Sequence, residues 1–464
     1  EVLHNAGVCF EKGKLPGQAI FVRKSLIEKF PNKPLAQKAQ YALGISYAAI
    51  AYYDQAASQY EEYAKKFSGE KDAQAALSSA TFLRKGLGQD DKAIELTKYF
   101  IDKYGGKVPK EAAAAFFSIA DVYEKRKDFD TEVKHLADYL AKWGAKGGVD
   151  RQVIAHVKMG EIHWKQSCPV AGVNGACIEV KRERALKQSD KGGKKKKRSV
   201  TQTQCGEASK NKIIVHPRKP AFVKLAKTHF DAAIKQWKNG EATKDVGGKD
   251  DAEKALRTAQ MIYWVGAANY YLGDEKYEQF LAIKFPENLN FDATKPKKME
   301  ESLKTFKKWN EDKDKAAAGT QDLYMKVVNE LKGGGAHWAI AAAARVGQLF
   351  QNYSDALSTA EIPKSVREGE FAEDTIAMYC DTIGEVIDPL EHKSIAAFSF
   401  CLQKSTDLNW FNEWSRLCEG ELAQIRPKDF PTAGEIRSEP DGVPMTLDTQ
   451  SLITEIEVGG TAQR

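Results

Sequence analysis

Apolar residues recur every three to four positions along most of this chain, the spacing of a helix that buries one face. The pattern shows in AQYALGISYAAI (39–50) and AAFFSIADVYEK (114–125). Between such stretches lie PGQAIFVRKSLIEKFP (16–31), YDQAASQYEEYAKKF (53–67), DDKAIELTKYFIDKY (90–104) and FDTEVKHLADYLAKW (129–143), each closing on an aromatic. Those aromatics, Phe30, Phe67, Tyr104 and Trp143, are spaced by 37, 37 and 39 residues. A fixed period in this range predicts an all-α solenoid of stacked helix hairpins, because one hairpin cannot bury its apolar face alone.

The unit from Ala39 carries Leu43, Gly44 and Tyr47 on its first helix and Ala56 and Tyr60 on its second, and in this it resembles the tetratricopeptide repeat family. Small residues at 44 and 56 let two helix axes approach, with Tyr47 and Tyr60 filling the wedge beside them. Two positions depart from the motif: Glu132 stands for a small residue and Arg84 for an aromatic. The long period and the Phe-Pro ends at 30–31, 285–286 and 430–431 look like bacterial envelope members of the family, of the outer-membrane assembly and Tol-Pal coordinator type. CPVAGVNGACIEVKRERA, IIVHPR and NEWSRLCEGEL are similar to tetratricopeptide proteins of the deltaproteobacterial gliding-motility machinery.

The fourth unit opens with VIAHVKMGEIHW, yet its second helix waits until Pro220. Residues 167–219 are therefore an insertion, and its β-prone ACIEVKRE and NKIIVHPR predict a hairpin with a mobile tip, partly disordered. The expected organisation is an N-terminal array over 1–310, a charged break or linking helix over 311–335, C-terminal helical repeats over 336–431 and an extended tail over 432–464.

Charge changes this picture only locally. The chain has 70 basic and 64 acidic residues, a net +6, but Lys181 to Arg198 contributes +8, so the remainder sums to −2. A near-neutral body has no global field to draw it onto nucleic acid or an anionic membrane. The run Lys194, Lys195, Lys196, Lys197 and Arg198 lacks interleaved aromatics, so we expect a solvated patch that steers association. No apolar run approaches the ~18 residues of a membrane span. The chain starts at Glu1, which leaves room for a leader peptide or lipid anchor ahead of it.

Seven cysteines form no CxxC pair, which argues against a structural zinc site. Cys168, Cys177, Cys205, Cys401 and Cys418 are the candidates for disulfides of an exported protein, while Cys380, on a predicted helix, is expected as a buried thiol. GxSxG, GKS or GKT and HExxH are all absent, and neither cofactor nor metal is expected. His156 and His163 fall at core positions of the repeat. Asp381, Glu385, Asp388 and His392 are expected on a solvated helical face that Pro389 interrupts.

In the family it resembles, first helices line a concave groove, and the residues mapping there are Tyr41 and Ile45, Ser78 and Phe82, Phe117 and Asp121. Aromatics beside small residues suit a bound peptide. The Lys and Asn pair with which some members clamp a terminal carboxylate is replaced by Tyr41 and Ile45. These features lead us to expect a non-enzymatic adaptor of a periplasmic envelope complex that holds a protein partner. The alternatives are a cytoplasmic scaffold and a polyanion-binding protein that uses the basic insertion.

Overall fold

The computed structural model describes residues 1–182, 203–206, 211–330, 335–368 and 371–431. The first helices of the chain are α1 (Val2–Lys12), α2 (Pro16–Lys29), α3 (Pro34–Ala49), α4 (Tyr53–Lys66), α5 (Ala73–Gly86) and α6 (Asp90–Tyr104). There follow α7 (Pro109–Phe117), α8 (Ala120–Lys125), α9 (Phe129–Lys142), the short α10 (Gly144–Gly147) and α11 (Val149–Ser167). Strands β1 (Ile178–Arg182) and β2 (Asn211–Val215) form an antiparallel pair, with Ile178 opposite Val215. Next come α12 (Pro220–Trp237), α13 (Asp251–Ala282), α14 (Pro296–Glu330), α15 (Ala336–Ser358), α16 (Lys364–Arg367), α17 (Ala372–Asp407) and α18 (Glu413–Ile425).

Local sequence explains many of the starts. Pro16, Pro34, Pro109 and Pro220 occupy first-turn positions, where the missing N–H costs nothing. Asp128 and Asp250 cap the next backbone amides of α9 and α13, and Asn412 forms a reciprocal capping box with Ser415. Successive helices pack as hairpins, and first helices also touch across pairs, α11 against α13 and α13 against α15. The chain is an all-α solenoid with a single hairpin insertion among the described residues.

The close approach within pairs recurs. A Cβ at Gly44 of α3 would lie 2.6 Å from the ring of Tyr60 on α4. Gly160 meets Phe230 in the same way at 2.5 Å, Gly273 meets Tyr324 at 2.7 Å and Gly347 meets Phe398 at 2.5 Å. At the positions where the repeat motif fails, buried polar groups are paired or enclosed. Arg84, 2% exposed, bonds Glu61, Asp54, Gln89 and Ser58, and Glu132 is 1% exposed.

The segment expected as an insertion over 167–219 lies between α11, which ends at Ser167, and α12, which starts at Pro220, and its base is part of the core. Cys168 bonds Cys177, and Ala176, Cys177 and Ile178 are buried. Arg218 stacks on Trp164 at 3.6 Å, pairs with Glu278 of α13 at 2.7 Å, and donates to the carbonyls of Trp164 and Gly175. Arg345 of α15 donates to the carbonyl of Asn174 at 3.0 Å. Further along, the Ile362 amide donates to Thr203 O and the Gly206 amide to Ser358 O. The run 194–198 and the tail 432–464 lie outside the described residues.

Several expectations are corrected. Cys380 is not a free thiol: it bonds Cys205, and the third disulfide joins Cys401 to Cys418. Pro389 does not interrupt α17, which continues through it because Ile383 and Leu390 are buried on either side and Ser394 donates to Gly347 O of α15. Residues 311–330, expected as a charged break or linking helix, are the C-terminal part of α14, where Lys313, Ala317 and Thr320 turn a buried edge inward. The largest cluster of buried apolar residues reaches from Val153 to Leu422, with Ile362, Val366 and Ile376 in a small cluster of their own, whereas α1 to α9 are served by smaller separate clusters, one of which takes in Ala155 and Met159 of α11.

Candidate functional site

Along the first helices runs a chain of side-chain contacts that begins on α5. Phe82 is 76% exposed there, beside the exposed Ser78. Both line an open groove of about 350 Å³ between α5 and α7, floored by Thr97 and Phe100 of α6. Lys85 spans its end, donating to Ser118 Oγ at 2.8 Å. Burial pushes the Lys85 ammonium down, against the charges of Asp121 and Asp90.

From α8, Asp121 and Glu124 reach Lys158 of α11 at 3.2 and 2.6 Å. Lys158 lies over the ring of Trp264 on α13 at 5.4 Å. Burial opposes its charge, yet Asp121 and Glu124 hold its pKa above the usual lysine value. Glu132 of α9 sits behind, its Oε2 without a hydrogen-bond partner among the described residues, and burial pushes its carboxyl up to about 7 although Lys158 opposes the shift. Tyr263 stands 5.6 Å from Trp264 and 5.7 Å from His337 of α15. His337 in turn meets the Asn412 side chain that caps α18, at 3.1 Å. The stripe thus crosses α5, α7, α8, α11, α13, α15 and the start of α18.

The residues expected in a groove are only partly brought together: Tyr41 and Ile45 lie on α3, outside the stripe, and Tyr41 and Phe117 pack against second helices. Ser78 and Phe82 share the α5–α7 groove, and Asp121 lies further along the stripe. Ile45 is 41% exposed on α3. Tyr41 turns toward Tyr60 and Tyr63 of α4, at 5.7 and 5.2 Å, and Phe117 sits edge-on to Tyr139 of α9 at 5.0 Å. Lys158, Tyr263, Trp264 and His337 were not singled out by the sequence. The available signal was the pair Tyr263-Trp264 inside an apolar helix beyond the last aligned unit.

His156 and His163 are half-buried rather than enclosed. They face His229 of α12, with His156 and His229 Nδ1 atoms 3.2 Å apart and the His163 ring stacked on His229. Burial, then the neighbouring imidazoles, push His229 down to about 4. Asp381, Glu385, Asp388 and His392 are exposed on α17. Among the described residues no group of His, Cys, Asp and Glu has the geometry to hold a metal ion, and no helix is long and apolar enough to cross a membrane. No family model matches the chain, and no curated protein matches it.

Proposed function

We propose that this protein is a non-enzymatic scaffold of a bacterial envelope assembly that holds a protein partner along the first-helix stripe. The observation that carries the reading is Phe82, a large aromatic left 76% exposed at the rim of a groove between two first helices. Exposed aromatics at such rims supply most of the energy of a peptide interface. The three disulfides support maturation in an oxidising compartment, since they persist outside the cytosol. The tetratricopeptide resemblance supports a binding role, with gliding motility as its narrowest form.

A photo-cross-linking residue at position 82 tests the reading. The expected result is a defined protein adduct in the native cell extract, lost when Ser78 and Thr81 are changed to Lys to block the groove. Unchanged cross-linking in the blocked variant overturns it. The polyanion reading rests on Lys194 to Arg198 and predicts binding that collapses steeply with salt.

A further inference from the structure

Among the second helices, away from the first-helix stripe, α14 and α17 frame an apolar groove of about 330 Å³. Phe291, Leu303 and Phe306 line one side, and Met378, Tyr379 and Ile383 the other. Leu303 is 49% and Met378 69% exposed, so apolar surface that a closed helix pair would bury stands open. The frame is fixed. The Phe291 amide donates to Ser365 Oγ at 2.9 Å, Thr375 Oγ1 donates to Val366 O at 2.8 Å, and Cys380, next to Tyr379, is tied to Cys205. A cleft already shaped in this way needs little reorganisation to be filled.

The end of the helical array is aimed at it. Cys418 bonds Cys401 and, further on, Arg426 meets Glu391 at 3.8 Å, so α18 runs antiparallel to α17 and points toward the N-terminal half of that helix. At a rise of 1.5 Å per residue, Glu391 stands about 20 Å along α17 from Met378. The described chain ends at Pro431, and residues 432–464 follow it. A chain as long as 432–450 has a root-mean-square span of roughly 25 Å. That span matches the distance, which makes the effective concentration of the next segment at the groove high.

The next segment is SLITEIEV (451–458), with Leu452, Ile453, Ile456 and Val458 set among Glu455 and Glu457. Its two glutamates distinguish it from the other apolar stretch of the tail, VPMTL (443–447). On the α14 rim, Lys304, Lys307 and Lys308 share one helix face, exposed and in no ion pair among the described residues. The α17 rim carries Glu373 and Asp374, both exposed, so acidic side chains entering the groove are drawn to the α14 side.

We propose that residues 451–458 of the chain's own tail dock in the α14–α17 groove, their apolar side chains against Leu303, Phe306 and Met378, and Glu455 and Glu457 toward the lysines of α14. The groove is separate from the first-helix stripe, so this docking and the holding of a partner on that stripe stand or fall independently.

A photo-reactive residue at the exposed position 378 of the purified full chain tests it, with mass spectrometry of the cross-linked peptides. The expected product is an adduct within one chain to the peptide that holds 451–458. Leu452→Asp with Ile456→Asp should cut its yield about tenfold or more, with circular dichroism unchanged. Glu455→Lys with Glu457→Lys should lower the yield at low salt, and adding Lys307→Glu with Lys308→Glu to that variant should restore it. No adduct, a yield indifferent to the aspartate pair, or an adduct at 443–447 overturns the proposal. A charge reversal that the α14 change does not rescue also counts against it, because the glutamates then lie elsewhere. An adduct between two chains, rising with protein concentration, refutes it in favour of a second copy.

Discussion

Arg345 of α15 and Asp274 of α13 pair at 3.1 Å with side chains 1% and 0% exposed. Tyr324 of α14 donates to the same carboxylate at 2.5 Å, so three helices and the insertion loop meet at one buried guanidinium. Removing one partner leaves the other charge in a dry interior, which costs about 3–5 kcal/mol. Arg345→Met should lose about that much in urea denaturation. Replacing both, Arg345→Met with Asp274→Leu, should recover part of the loss, and a double variant worse than the single would contradict the account.

Two groups set opposed pH dependences. Glu132 titrates at about 7 in the folded chain against a usual 4.5, so the native state keeps a proton that the unfolded chain has released, and stability falls as pH rises between those values. His229 is pushed down from 6.5 to about 4, so the unfolded chain takes up the proton first and stability falls as pH drops through that window. Melting temperatures against pH should show Glu132→Gln flattening the fall toward neutrality and His229→Gln flattening the acid limb.

The disulfides should differ in weight. Cys205–Cys380 closes a span of 175 residues, Cys401–Cys418 one of 17 and Cys168–Cys177 one of 9. Chain entropy assigns about 5 kcal/mol to the longest and about 3 kcal/mol to each of the others. Cys205→Ser with Cys380→Ser should therefore lower the melting temperature most of the three double replacements, scanned without reductant.

Gly347 touches the Phe398 ring closely enough that an added methyl must displace an aromatic between two buried helices. Gly347→Ala should cost about 1–3 kcal/mol by chemical denaturation despite alanine's better helix propensity. Gly384, with open space at its Cβ position, is the control, and Gly384→Ala should stabilise slightly.

The glycine and aromatic contact shows what was legible. Gly44 and Tyr60 are 16 residues apart, inside one repeat period, and the motif exposes them. Gly160 and Phe230 are separated by the insertion, and Gly273 and Tyr324, like Gly347 and Phe398, by helices of over thirty residues, so no local period brings them into register. Phe82 and Ser78 fall within the aligned units, so the repeat register alone places them on one face of α5, where the structure has them lining one groove. Trp264 and Tyr263 lie beyond them, on a helix oriented by the Arg345–Asp274 contact and by the insertion loop. The Cys205–Cys380 bond had no local signal, since only the fold brings residues 175 positions apart together. Pro389 misled because the rule concerns an isolated helix, whereas α17 is held along its length by α15.

In an ideal solenoid each hairpin touches only its neighbours, so a terminal pair can fray without disturbing the rest. Here the insertion leaves the α11–α12 pair and fastens to α15, to the loop that follows it and to α17 through Asn174, Thr203, Cys205 and Gly206. That strap couples units that are not adjacent and turns the α11–α18 half into one cooperative block, while α1 to α9 keep the graded local opening of a simple array. Amide hydrogen exchange would then divide the molecule near α10, with slow, uniform protection beyond it and protection that fades toward α1 before it.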